Sequence, residues 1–127
     1  MLHYITLGTN DLAAARQFYD AVLLCIGCAR RTDDPEELGY GPPAPDHIRF
    51  WVTQPYDGNP ATVGNGSMPA FAAPSRSAVD AFHAAGLASG GTDEGAPGLR
   101  PYAAHFYACY LRDPDGNKVS AVCETPA

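Results

Sequence analysis

Apolar and polar positions alternate at the start of the chain and then change to a helical spacing. Residues 2–8 read Leu-His-Tyr-Ile-Thr-Leu-Gly, and neighbouring side chains of such a stretch lie on opposite faces of an extended segment, so the pattern predicts a strand. Residues 9–11 then offer side-chain oxygens to cap a helix, and apolar residues recur at helical spacing from Leu12 onward. The helix is expected to end near Leu24, before Gly27.

The same order of elements returns in the second half of the chain. Residues 69–73 are short and apolar, which favours a second strand. Pro74 and Ser75 can start the helix that follows, because proline suits the beginning of a helix and a serine hydroxyl caps it. Gly90 and Gly91 are expected to end this helix.

The two halves align as a weak internal repeat. Met68 follows His3 by 65 residues, and Phe82 follows Phe18 by 64 residues. A single deletion therefore aligns both the strand and the helix of one half with those of the other.

Further extended stretches complete each half. They are predicted at 47–53, 105–112 and 118–123, and the last two are joined by Asp-Pro-Asp-Gly-Asn. Proline presets its own φ and glycine accepts a positive φ, so this stretch is a strong hairpin signal.

Three stretches rich in glycine, proline or acidic residues are predicted to be loops. The pattern indicates one domain with two modules and a linker between them. The predicted loops are 33–46 (with a short edge strand at 38–41), 54–67 and 92–101. The predicted bounds are about 1–54 for module one, about 55–66 for the linker and about 67–125 for module two.

Composition narrows the class of protein. The length of 127 residues suits one core, and eight basic residues against fourteen acidic ones give a net charge of −6. The basic residues are scattered, so no nucleic acid is expected as a partner. No apolar run is long enough to cross a bilayer, and no membrane partner is expected. We expect a soluble, cytoplasmic protein.

Cysteine chemistry is not expected to carry a function. The pair Cys25 and Cys28 falls where the first helix ends, and the partial negative charge there raises a thiol pKa, which is unsuited to a redox nucleophile. Reduced, inert thiols are expected at all four cysteines. The sequence also has no hydrolase nucleophile motif and no phosphate-binding glycine loop.

The sequence resembles the vicinal oxygen chelate superfamily in two segments. These are residues 3–20 and the closing Arg-Asp-Pro-Asp-Gly-Asn-Lys-Val at 112–119. Its members include glyoxalase I, bleomycin resistance proteins and extradiol dioxygenases. The resemblance implies an α+β fold of two tandem βαβββ modules whose curved mixed sheets surround a cleft. It also implies a homodimer.

The resemblance identifies three positions that hold a divalent metal in many members. In this chain they are His3, Met68 and Ser120, and a thioether and a neutral hydroxyl are poor ligands for such an ion. No cofactor is therefore expected, although His3 remains a ligand if a metal such as zinc, nickel, manganese or iron binds. His105 is the candidate to complete such a site, and Trp51 is a candidate for the cleft wall.

Three functions follow from this interpretation. The first is a glyoxalase/bleomycin-resistance-like protein with a degenerate metal site that binds a small organic ligand between its modules, at His3, Trp51, Met68, Ser120 and His105. The second is a metal-dependent lyase or dioxygenase that uses His3 with unusual ligands. The third is a protein that sequesters a cationic drug of the bleomycin type, which the acidic net charge permits. Whether a reaction is catalysed is left open.

Overall fold

The structure is a computed structural model that describes residues 1–43 and 47–127. Strands and helices follow one another in the same order in both halves. The elements are β1 (Ile5–Gly8), α1 (Leu12–Leu24), β2 (Ala29–Arg30), β3 (Glu37–Gly41), β4 (Phe50–Thr53), β5 (Ala70–Ala72), α2 (Arg76–Ala88), β6 (Thr92–Leu99), β7 (Tyr107–Arg112) and β8 (Lys118–Cys123).

The strands form two four-stranded mixed sheets of identical topology. The strand orders are β1-β4-β3-β2 in module one and β5-β8-β7-β6 in module two. In each module the first strand pairs in parallel with the last, with Ile5 opposite Phe50 and Ala70 opposite Ser120. The predicted α+β fold of two βαβββ modules is confirmed, and the internal repeat is visible in the matching order of elements.

Both helices begin and end where their capping residues predict. Each has 13 residues, and the side chains of Asp11 and Ser75 accept hydrogen bonds from the first-turn amides of Ala14 and Ala78. The first helix ends at Leu24 as expected. These caps satisfy amides that have no partner within the helix.

One hydrophobic core joins the two modules, and it lies where the helices pack on each other and on the sheets. Phe18 of α1 and Phe82 of α2 are both fully buried. Gly86 permits the close approach of α2 to β7, because a Cβ atom there would overlap the side chain of Leu111. The core therefore occupies one face of each sheet and leaves the other face outside it.

The strand boundaries and one loop differ from prediction. Residues 2–4 precede β1, and the predicted loop at 92–101 is largely the strand β6. Glycine and proline are tolerated in β6 because it lies at the end of the strand order and its pairing with β7 shifts register twice. The stretch at 38–41 is a strand as predicted, but β2 covers it, so it is not the edge. Residues 44–46 of the predicted loop lie outside the described residues.

A buried carboxylate connects the modules. Asp113 is 4% exposed and lies in the turn between β7 and β8. Its Oδ2 accepts a hydrogen bond of 2.6 Å from the hydroxyl of Tyr19 on α1, and its Oδ1 accepts the amides of Asp115 and Asn117 at 2.9 Å. A buried carboxylate requires several donors of this kind to offset the loss of hydration.

The same turn also holds the junction between β1 and α1. The carboxylate of Asp115 accepts hydrogen bonds from the Thr9 hydroxyl and from the Asn10 amide. The side-chain amide of Asn117 donates to the carbonyl of Gly8 at 3.0 Å. We call residues 113–117, with their contacts to 8–10 and Tyr19, the inter-module clasp.

Removing the hydroxyl of Tyr19 is expected to destabilise the protein. The substitution Tyr19→Phe deletes a buried donor to a carboxylate, so the free energy of unfolding should fall by about 1.5–3 kcal/mol. Urea unfolding measures this change. Tyr56→Phe, at a fully exposed side chain, is the matched control and should change little. Equal stabilities of the two variants would contradict a role for the clasp.

Stability is expected to decrease in alkaline solution. Burial and the nearby Asp113 carboxylate raise the pKa of Tyr19. Burial and a hydrogen bond to Asp20 raise the pKa of Tyr40. In the unfolded chain both phenols ionise near pH 10. Their stabilising contribution is therefore complete below about pH 10 and is lost as the pH rises above it. Urea unfolding at a series of pH values measures the decrease, and a constant free energy of unfolding through this range would contradict it.

Candidate functional site

An apolar cavity of about 370 Å³ lies where the first strands of the two modules approach each other. Both modules contribute to its wall. Its lining includes residues 2–5, Leu23, Ile26 and Cys28 from module one and residues 69–72 from module two, with the rings of Phe50 and Phe71.

The cavity arises because β1 and β5 do not pair with each other. Each is hydrogen-bonded to the last strand of its own module. The sequence Ala-Phe-Ala in β5 places small side chains on either side of Phe71. The rings of Phe50 and Phe71 meet edge to face at 5.1 Å, and Phe50 belongs to the buried core. These two rings therefore form an aromatic part of the cavity wall.

His3 lies in the wall of this cavity. Its imidazole stacks on that of His47, with ring centroids 4.2 Å apart and planes 14° from parallel. The Nε2 atom of His47 lies 2.9 Å from the backbone oxygen of His3. One face of the His3 ring is therefore covered, while the residue as a whole remains exposed.

Trp51 lies on the opposite face of the first sheet from the core. It alternates with the buried Phe50 and Val52, and it pairs with Thr6 and Gly39. Its ring lies against Gly39, where a Cβ atom would be 2.8 Å from Trp51 Cζ3. The indole packs on its own sheet and does not line the apolar cavity.

The other three predicted residues also lie outside this cavity. Ser120 is fully buried in β8, opposite Tyr110. Met68 is 39% exposed before β5, and His105 is exposed before β7. Of the five residues predicted from sequence, the structure places His3 alone in the cavity.

Two of the three family positions, Met68 and Ser120, carry side chains that are poor ligands for a divalent metal. His3 belongs to the cavity wall, whereas Ser120 lies in the second sheet with a buried hydroxyl that has no hydrogen-bond partner among the described residues. Within residues 1–43 and 47–127, no group of three His, Cys, Asp or Glu side chains is arranged to hold an ion. A thioether and a neutral hydroxyl do not compensate for missing imidazole or carboxylate ligands.

Three of the cysteines, Cys25, Cys28 and Cys109, are poor candidates for a reactive group. All four are free. Burial raises the pKa of Cys25 and Cys28 and raises the pKa of Cys109 to about 11. The thiolate is the reactive form, so these thiols are poor nucleophiles at neutral pH.

Sequence reasoning missed most of the cavity wall. Ile5 and Cys28 line it, and neither has the chemistry that a motif search favours. The small-aromatic-small pattern of residues 70–72 is a usable signal, because it leaves space on both sides of a ring.

Comparison with known proteins places this fold in a family. The profile of the Glyoxalase/Bleomycin resistance protein/Dioxygenase superfamily matches residues 1–121. The chain belongs to this superfamily. The resemblance inferred from the opening and closing motifs is thereby confirmed.

Solved structures of the glyoxalase/bleomycin resistance/dioxygenase superfamily share the fold. A glyoxalase/bleomycin resistance protein from Albidiferax ferrireducens is 43% identical, with a TM-score of 0.83 over 96% of this chain and 97% of that chain. A superfamily enzyme from Burkholderia phytofirmans is 21% identical, with a TM-score of 0.72 over 98% of both chains. A lactoylglutathione lyase from Agrobacterium tumefaciens is 22% identical, with a TM-score of 0.64 over 94% of this chain and 90% of that chain.

No curated protein matches the chain significantly. Within the described part of the chain, neither helix has the length and apolar character that crossing a membrane requires.

We expect this superfamily member to bind no stoichiometric divalent metal through the three family positions. Titration calorimetry with zinc, nickel, manganese and iron(II) should show no binding that depends on His3, because the other two positions supply poor ligands. His3→Ala is the test variant, and His83→Ala is a matched control on α2. One equivalent of metal that is lost in His3→Ala and kept in His83→Ala would contradict this expectation.

Proposed function

We propose that this chain binds a small, largely apolar organic molecule in the cavity between its modules, and that binding does not require a divalent metal. The observation that carries the proposal is the cavity of about 370 Å³ with Phe50 and Phe71 in its wall. Small-molecule sites in proteins are commonly concave, mostly apolar and of about 300–1,000 Å³.

The residues of the wall divide between apolar contact and orientation. Ile5 and Phe71 offer surface that is removed from water when a ligand enters, which favours a planar or aliphatic group. His3 supplies a ring nitrogen that can donate or accept a hydrogen bond at the edge of the cavity. A carbonyl or hydroxyl group on the ligand would be positioned by this imidazole.

The proposal is one of binding, and it favours the first of the three functions expected from the sequence. Lyase or dioxygenase chemistry of the metal-dependent kind needs a ligand set, and the residues at the three family positions do not fit one. The cytoplasmic location and the homodimer remain predictions.

Filling the cavity is expected to abolish binding. Thermal-shift and calorimetric titrations would use catechol, benzaldehyde, S-hexylglutathione and benzyltrimethylammonium as probes, since a ligand raises the melting temperature by mass action. Ile5→Trp should weaken any positive probe about tenfold or more, because the larger side chain occupies the ligand volume and is tolerated in a strand.

Leu87→Trp is the matched control, because Leu87 is 45% exposed on α2 and does not line the cavity. Circular dichroism checks the fold of both variants, and Cys28→Phe is a second filling variant. A probe that binds all variants equally would place its site elsewhere and overturn the proposal. Binding of bleomycin that Ile5→Trp leaves unchanged would favour drug sequestration at another surface.

A further inference from the structure

The linker between the modules contains an exposed stretch with few contacts. Residues 62–68 are all exposed. Within the described part of the chain, their one backbone hydrogen bond runs over 2.9 Å from the Ser67 amide to the Gly64 carbonyl. The stretch is anchored just before it begins, where Ala61 exchanges hydrogen bonds with the side chain of Asn10. A segment with so few contacts changes its backbone conformation locally at little cost.

The hydrogen bond closes a β-turn over residues 64–67, with Asn65 and Gly66 at its centre. Gly66 has a φ of +96°, and a Cβ atom there would meet no other atom within 4 Å. Its amide donates to no acceptor among the described residues. The side chain of Asn65 is exposed, and no hydrogen bond holds it in residues 1–43 and 47–127. The Gly66 nitrogen and the Asn65 side chain are therefore both available to react.

An asparagine followed by glycine can react with its own backbone in water. The backbone nitrogen of the glycine bonds to Cγ of the asparagine, the Cγ–Nδ2 bond breaks, and ammonia leaves with the proton that the attacking nitrogen has lost. The product is a five-membered succinimide ring. One water molecule then opens the ring at either carbonyl, which gives aspartate or isoaspartate. Glycine favours ring closure, because it has no side chain to obstruct the attacking nitrogen.

The other three asparagines of the chain are protected, each by a different feature. Asn10 uses both ends of its side-chain amide in hydrogen bonds to the linker backbone. Asn59 is followed by proline, whose nitrogen carries no proton and cannot close the ring. Asn117 is 7% exposed, and its Nδ2 donates two hydrogen bonds of 3.0 Å.

Two Asp-Gly pairs could form the same ring by losing water, and the structure restrains both. The amide of Gly58 donates to a backbone carbonyl, and the carboxylate before it accepts two hydrogen bonds from Asn59. The amide of Gly116 donates to the Asp113 carbonyl, and the Asp115 carboxylate is held in the clasp. In both pairs the nitrogen and the carboxylate are already engaged.

We infer that Asn65 is a self-modification site, which converts to aspartate and isoaspartate in the folded protein while the other asparagines persist. Water is the only co-reactant. The change adds one negative charge to a chain whose net charge is −6, and isoaspartate also adds one carbon to the backbone of the linker. Asn65 does not line the apolar cavity, so this inference is independent of the proposed ligand.

The test follows the charge and mass of the purified protein in mildly alkaline buffer. Ion-exchange chromatography should show a new acidic species that grows with time. Its mass should correspond to the exchange of an amide NH2 for a hydroxyl, and peptide mapping should place the change in residues 64–67 as both aspartate and isoaspartate. The rate should rise with hydroxide concentration, because the attacking nitrogen must lose its proton.

Variants assign the reaction to its residues. Asn65→Gln should abolish the acidic species, because ring closure through the longer side chain is much slower. Gly66→Ala should slow its formation about tenfold or more, because a methyl group obstructs the attacking nitrogen. Asn59→Gln is the matched control, an exposed asparagine of the same linker, and should leave the rate unchanged. Circular dichroism checks the fold of each variant.

A synthetic peptide of residues 60–69 gives the rate without tertiary structure. The folded protein should react within about tenfold of this peptide, because the turn opens locally at little cost. A folded protein that stays unchanged while the peptide reacts would overturn the inference. An acidic species that persists in Asn65→Gln would do the same, as would modification that occurs first at Asn117 or Asp115.

Discussion

The arrangement of the two modules depends on the buried carboxylate of Asp113. A charge removed from water must be surrounded by donors, and here the donors come from both modules, with Tyr19 on one side and Asn117 on the other. The clasp holds the modules together near the end of β1. The cavity opens at the start of β1, near His3. Since β1 and β5 are not paired, this gap persists beside a tightly packed core.

The sequence was most informative where a single residue has one strong local role. Asp11 and Ser75 fix the starts of the helices through hydrogen bonds to nearby amides, so both starts are predictable without tertiary information. Strand ends depend on partners far along the chain. Residues 92–99 contain the glycines and proline typical of a loop. They nevertheless form β6, because they pair with β7 in an antiparallel ladder that is interrupted by register shifts.

The candidate site was less predictable than the fold, because a shared family position does not fix where a side chain points. His3 and Ser120 stand at two of the three positions for which the family resemblance implies a shared metal, but here His3 lies in the cavity wall and Ser120 lies in β8. The alternation of the buried Val119 and Ala121 is enough to place Ser120 on the face of the second sheet that is turned away from the core.

The pairing of first strands with last strands sets an order of events during synthesis on the ribosome. The ladder between β1 and β4 can be complete only once Thr53 has emerged, because Thr53 is the partner of Gly8. The contact between Asn10 and Asp115 spans 105 positions, so it cannot form until nearly the whole polypeptide has left the exit tunnel. The final hairpin completes the entrance to the first helix, so a prematurely terminated chain lacks these hydrogen bonds.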